Sequence, residues 1–133
     1  MPELEDPIEL FRKSLASLPA PVDESPPVIQ RAEVWPYPEL DRLWVRVETS
    51  PFVGFPNLAI TVIGPDEVVV ATMFMVEIRD RYQSVTLHLR QAPRPGAKYA
   101  LELELSREEV ALDTRRLEFD LAFRDPQEQP SGT

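Results

Sequence analysis

The chain has 133 residues, the size of one domain, and 43% of them are hydrophobic, enough for a real core. A formal charge of −9 opposes general binding to nucleic acid, which needs a basic patch to displace counterions, and to anionic lipid for the same reason. With no cysteine, the chain makes no disulfide, thiolate zinc site, iron–sulfur cluster or cysteine nucleophile.

The first residues, Met1 to Asp6, are acidic where a signal peptide is basic, and no apolar h-region follows. No stretch is long enough to span a membrane. Together with the missing cysteines this leads to the expectation of a cytoplasmic protein, bacterial in style.

Residues 7–18 then read as an amphipathic helix, within an N-terminal helical region spanning 1–18. Asp6 suits the N-cap, Pro7 the first helical position, and Glu9 a capping-box-like pattern. Ile8, Phe11, Leu15 and Leu18 recur at spacings of three and four, which gives one apolar stripe. A helix this short is marginal alone in water, so its stripe is expected to dock on its own domain, on a second copy or on another partner. Residues 19–27 (PAPVDESPP) form a proline-rich linker; in polyproline II geometry it reaches about 28 Å.

Residues 28–124 read as strands separated by proline and glycine turns. The first covers 28–35 and ends at Trp35-Pro36-Tyr37-Pro38. Over 42–49, Leu43, Val45 and Val47 alternate with Trp44, Arg46 and Glu48. Residues 57–63 are rich in β-branched side chains, and Gly64-Pro65-Asp66-Glu67 is a hairpin turn with proline second and aspartate third. The run 67–79 is long for one strand and predicts a bend near Ala71-Thr72, where the chain crosses between sheets. After a turn at Asp80-Arg81, residues 83–91 place Val85, Leu87 and Leu89 inward and Thr86, His88 and Arg90 outward. Tyr99, Leu101, Leu103 and Leu105 alternate with Ala100, Glu102 and Glu104. Leu117, Phe119, Leu121 and Phe123 do the same with Glu118, Asp120 and Ala122. Val110 and Leu112 are out of phase with Leu117, which predicts a bulge or loop between Asp113 and Arg116. Residues 125–133 have the composition of a disordered tail.

Seven short strands with this punctuation predict an all-β fold, a seven-stranded immunoglobulin-like antiparallel sandwich carrying a short N-terminal helix. Pro95-Gly96-Ala97-Lys98-Tyr99, followed by the alternating leucines, resembles the sixth strand of fibronectin type III and related domains. The resemblance covers about ten residues. It implies that Tyr99 is a tyrosine-corner residue whose hydroxyl bonds back to the preceding turn. The chain departs from that family in having Val47, Glu48 and Thr49 where a core tryptophan is usual. The resemblance therefore implies architecture and no function.

His88, the only histidine, sits outward on its strand between Thr86 and Arg90 and reads as a surface side chain rather than a metal ligand or general base. No serine lies in a nucleophile-elbow context. Glu102, Glu104, Glu118 and Asp120 share one face if their strands pair. They read either as a calcium site or acidic patch, or as a solvated face offset by Arg115 and Arg116; no aspartate-rich ligand loop supports the metal. Trp35, Tyr37 and Trp44, with Phe52 and Phe55, read either as an interface hot spot or ligand platform, or as the closure of one end of the core and the receiver of the helix. No phosphate-binding glycine loop exists.

The expectation is a non-catalytic protein-interaction module with no cofactor and no bound metal. It works through a sheet face or edge and its helix, with a protein partner or a second copy as a homodimer. The residues expected to bind the partner are Ile8, Phe11, Leu15, Leu18, Trp35, Tyr37 and Trp44. The alternative is a small-ligand or carbohydrate-binding sandwich using the aromatic platform around Trp44.

Overall fold

The computed structural model describes residues 26–125. The helix expected over 7–18, with Ile8, Phe11, Leu15 and Leu18, lies outside the described residues, as do linker positions 19–25 and tail positions 126–133.

Among the described residues there are seven strands and no helix: β1 (Ile29–Pro36), β2 (Arg42–Thr49), β3 (Asn57–Ile63), β4 (Val69–Met75), β5 (Tyr82–His88), β6 (Lys98–Arg107) and β7 (Val110–Asp120). They form two antiparallel sheets, one of order β1-β2-β5 and one of order β4-β3-β6-β7. The period-two pattern decides which side of each strand is buried. Leu43, Val45 and Val47 of β2, Leu58, Ile60 and Val62 of β3, and Leu101, Leu103 and Leu105 of β6 join one core, from which Trp44, Arg46 and Glu48 are excluded. Full burial of each such aliphatic side chain is worth about 1.5–3 kcal/mol.

The turn at 64–67 forms as its composition predicts, with Glu67 N–H donating to the Gly64 carbonyl at 3.0 Å and Gly64 N–H donating to the Val68 carbonyl at 2.8 Å. Tyr99 is buried, stacks on Phe119 with ring centroids 6.0 Å apart, and its hydroxyl accepts from Arg94 N–H at 3.1 Å. That is the bond back to the preceding turn which the Pro-Gly-x-x-Tyr pattern implied.

Several bounds differ from the sequence reading: the strands expected over 28–35 and 83–91 are Ile29–Pro36 and Tyr82–His88, and β7 ends at Asp120. The long strand expected over 67–79 stops at Met75, and the irregularity falls at Val70, between the pairs Ile63–Val69 and Val62–Ala71. The crossing to the other sheet is made by residues 76–81 rather than at Ala71-Thr72. There Glu77 adopts a left-handed φ of 50° and Ile78 N–H donates to the Pro56 carbonyl at 2.8 Å. Strand β7 is continuous, and its bulge is Leu112, between the pairs Leu105–Asp113 and Ser106–Ala111, just before the predicted interval. One extra residue there puts Asp113, Arg115, Leu117 and Phe119 on the inner side, which resolves the phase conflict.

The two open sides between the sheets are stitched by polar residues. On one, Ile29 N–H donates to Asp113 Oδ2 at 2.7 Å and Arg115 Nη1 to the Ile29 carbonyl at 3.3 Å, joining β1 to β7. On the other, Arg90 N–H donates to the Val70 carbonyl at 2.8 Å and Arg90 Nη2 to Thr72 Oγ1 at 2.9 Å, tying the continuation of β5 to β4.

Candidate interaction surface

The register of β1, β2 and β5 assembles the outer face of the three-stranded sheet. Trp35 lies opposite Trp44, and Trp44 opposite Thr86; Glu33 lies opposite Arg46, and Arg46 opposite Ser84; Glu48 lies opposite Tyr82. Residues directly opposite in an antiparallel pair share a face. At the end where β1 stops, Trp35, Pro36, Tyr37, Pro38, Trp44 and Phe123 line an apolar groove of about 240 Å³. Three predicted site residues, Trp35, Tyr37 and Trp44, thus come together. Phe123, expected as part of a strand, was not anticipated here: β7 ends at Asp120, and the chain beyond it brings the 50% exposed Phe123 to the groove.

Phe52 and Phe55 do not belong to this group. They sit in the β2–β3 loop at the opposite end, edge to face with centroids 6.5 Å apart. Position along β2 decides this, since Trp44 lies near its start and the loop follows its last residue, Thr49.

Polar tips hold the aromatic rings in place. Trp44 Nε1 donates to Ser84 Oγ at 2.7 Å, Tyr37 Oη and Thr86 Oγ1 lie 3.2 Å apart, and Trp35 Nε1 donates to Glu33 Oε2 at 3.3 Å. Guanidinium groups lie against several rings: Arg42 is 4.4 Å from the centroid of Tyr37, Arg46 5.2 Å from Trp44 and Arg81 5.4 Å from Tyr82. Sequence reasoning missed this arginine–aromatic ladder. Its signal was the alternation itself, which places Arg42, Trp44 and Arg46 on one face of β2.

Glu33 is the most unusual member. It belongs to the outer face of an edge strand, yet it is only 4% exposed, as is Trp35. Its carboxylate meets Arg31 Nε at 2.7 Å and Arg46 Nη1 at 3.8 Å. A carboxylate this enclosed needs such partners, because an unpaired buried charge is costly.

The outer face of the four-stranded sheet carries the four carboxylates singled out in the sequence. The register sets none of them opposite another: Glu102 faces Arg116, Glu104 faces Thr114, Glu118 faces Ala100 and Asp120 faces Lys98. Arg116 bonds Glu102 at 2.6 Å and Lys98 bonds Asp120 at 2.9 Å. The hydrogen bond and charge of Asp120 hold Lys98 above the ordinary lysine value. That contribution is complete below pH 10.5 and is lost as pH rises through the higher folded value. Of the two arginines expected to offset this face, Arg116 does so, whereas Arg115 lies on the inner side and bonds β1. Ala59, Thr61, Glu102, Glu104, Thr114 and Arg116 surround a shallow depression of about 490 Å³. Phe74, 60% exposed, stands opposite Ala59 on the same face. Among the described residues, no group of three or more His, Asp or Glu side chains is placed to hold a metal ion. His88 is exposed at the end of β5, opposite Arg42. No helix among the described residues is long and apolar enough to cross a membrane.

No family model matches the chain, and no curated protein matches it. Solved structures do resemble it. One is a glycosyl hydrolase family 2 member from Bacteroides cellulosilyticus, with TM-score 0.53 and 15% identity over 72% of this chain. The β-D-glucuronidase of Dictyoglomus thermophilum gives TM-score 0.52 and 18% identity over 71% of the chain, and the β-glucuronidase of Lactobacillus rhamnosus gives 0.53 and 17% over 71%. The chain spans about 15% of the length of each of these enzymes. At such identities the likeness is one of fold: an all-β arrangement of two antiparallel sheets that also occurs as a small part of much larger glycoside hydrolase chains.

Proposed function

We propose that the chain is a non-catalytic, immunoglobulin-like binding module of the fibronectin type III kind. Its working surface is the outer face of the three-stranded sheet, and its ligand is a protein segment. The strand orders β1-β2-β5 and β4-β3-β6-β7 and the Tyr99 corner support the architecture. Its occurrence as a small part of larger enzymes supports an accessory role.

The observation that carries the reading is the apolar groove at Trp35, Tyr37, Trp44 and Phe123, continued by the arginine–aromatic ladder. Tryptophan, tyrosine and arginine are the residues that dominate interface energetics. At about 240 Å³ the groove is smaller than the roughly 300–1,000 Å³ of small-molecule sites and suits one or two anchoring side chains. Arg42 and Arg46 already occupy ring faces of Tyr37 and Trp44, so a sugar stacking there must displace them.

A photoreactive phenylalanine analogue at position 44, with one at position 74 for comparison, tests the reading in cells that make the protein. A discrete protein adduct at 44 and none at 74 is the expected outcome. Absence of an adduct at 44 counts against it.

The second reading is carbohydrate binding on the other sheet. It is favoured by the exposed Phe74 beside a depression lined with Glu102, Glu104, Thr114 and Arg116, and by the glycoside hydrolases that share the fold. Glycan binding abolished by Phe74→Ala and untouched by Trp44→Ala would establish it instead.

A further inference from the structure

We infer that the first ligand of this face is the chain's own N-terminal segment, residues 1–18, bound in cis along the outer side of the three-stranded sheet. The inference rests on the reading of that face as the working surface and names its resident occupant.

Charge is the first reason. Arg31 and Arg46 share the carboxylate of Glu33, and Glu48, opposite Arg31, pairs with Arg81; three arginines against two carboxylates leave a local surplus of one positive charge in a chain of net charge −9. Residues 1–9 supply Glu3, Glu5, Asp6 and Glu9 and no basic residue. The acidic end of the segment therefore matches the basic half of the face. The stripe Ile8, Phe11, Leu15 and Leu18 matches the apolar groove at Trp35, Tyr37, Trp44 and Phe123.

Length is the second reason. A helix over 7–18, as the sequence pattern reads, would be about 18 Å long, against a rise of about 20 Å for β1 from Ile29 to Trp35. A tether over 19–26 can span up to about 25 Å if extended as polyproline II. The tether joins the sheet next to Ile29, so the segment can turn back and run the length of β1 without leaving its own domain.

An external partner must then displace the segment. A short tether gives an effective concentration of about 1 mM, which sets the threshold a competing partner has to exceed.

The experiment uses the full chain, whose only tryptophans are Trp35 and Trp44. Acrylamide quenching of their emission is compared between the natural protein and the variant Phe11→Asp/Leu15→Asp. A cooperative urea transition checks that the fold persists. The Stern–Volmer constant is expected to rise about twofold as Trp44 becomes accessible. Adding a peptide of residues 1–19 to the variant, at concentrations below about 1 mM, is expected to restore protection. Phe55→Asp, at the far end of the fold, leaves quenching unchanged.

Equal quenching in the natural protein and the double variant would overturn the inference while leaving the working surface intact, since the adduct at position 44 is measured separately. A dimeric natural protein and a monomeric double variant, by light scattering, would also overturn it by placing the segment on a second copy.

Discussion

Replacing Tyr99 by phenylalanine removes one oxygen and little else. The ring keeps its burial and its stack on Phe119. What is lost is the acceptor for Arg94 N–H, held at 3.1 Å in a partly buried position. A neutral hydrogen bond contributes about 0.5–1.5 kcal/mol net, and a donor stranded without a partner costs about 1–3 kcal/mol. Arg94 itself is exposed, so water recovers part of the loss and the lower end applies, about 1 kcal/mol. With a urea m-value of about 1–2 kcal/mol/M, the midpoint should fall by about 0.5–1 M at unchanged slope. The equivalent change in Tm is about 4–8 °C. Equilibrium urea unfolding followed by far-ultraviolet circular dichroism measures it. A midpoint within about 0.2 M of the natural protein would refute the argument, because it would mean that Arg94 N–H is equally well served by solvent. A changed slope would instead locate the effect in the unfolded ensemble.

Other perturbations isolate backbone and edge effects. Gly96 has φ of +80° and nothing within 4 Å of a β-carbon placed on it, so Gly96→Ala should cost about 1–2 kcal/mol from the backbone alone. Gly96→Asn should cost less in the same urea assay, since asparagine tolerates that conformation. The β6–β7 turn is built from Glu108 and Glu109, both left-handed at φ 51° and 66°. Glu108→Asn/Glu109→Gly should therefore stabilise by about 1 kcal/mol, read as a higher Tm. Phe74→Lys, on the outer side of edge strand β4, should leave stability within about 0.5 kcal/mol. It should also lower any concentration-dependent association seen by light scattering, because a charge on an edge opposes strand addition.

The strands that alternate cleanly were legible from the residues. The expected bounds 42–49 and 57–63 are those of β2 and β3, and the inward sets of β2, β5 and β6 are the buried ones. Boundaries failed where turns are made by residues with no turn propensity. Glu77, Glu108 and Glu109 all take positive φ, and no composition rule reads glutamate as a left-handed residue. Glu77 is why 67–79 looked like one strand. For the site, sequence placed Trp44 outward but could not pair it with Trp35, since that depends on the β1–β2 register. Phe123 was equally hidden: alternation continued past Asp120, while the strand did not. The outer carboxylates show the reverse case. Their outward side on each strand followed from spacing, but their shared face depended on the two strands pairing, and their pairing with Lys98 and Arg116 needed the hairpin register.

Where the fold spends its polar residues narrows where it can act. The inward Asp113 and Arg115 close one open side of the two sheets by bonding Ile29, and Arg90 closes the other by bonding Val70 and Thr72. Edges tied in this way are poor templates for an added strand along those positions. At the end carrying the 50–56 loop, Arg107 Nη2 donates to the carbonyls of Val53 and Gly54 at 3.0 and 2.7 Å, which joins that loop to the β6–β7 hairpin. On the four-stranded sheet, Glu102 and Asp120 are neutralised by cross-strand cations. The three-stranded face differs from all of these. There one enclosed carboxylate, Glu33, serves two arginines, and an apolar groove is bordered by rings whose polar tips are already anchored at Ser84 and Thr86. Anchored rings lose little conformational entropy on binding, and the groove beside them gains from being filled. The preorganised side of this fold is therefore the outer face of β1, β2 and β5, and recognition is expected to begin at Trp44.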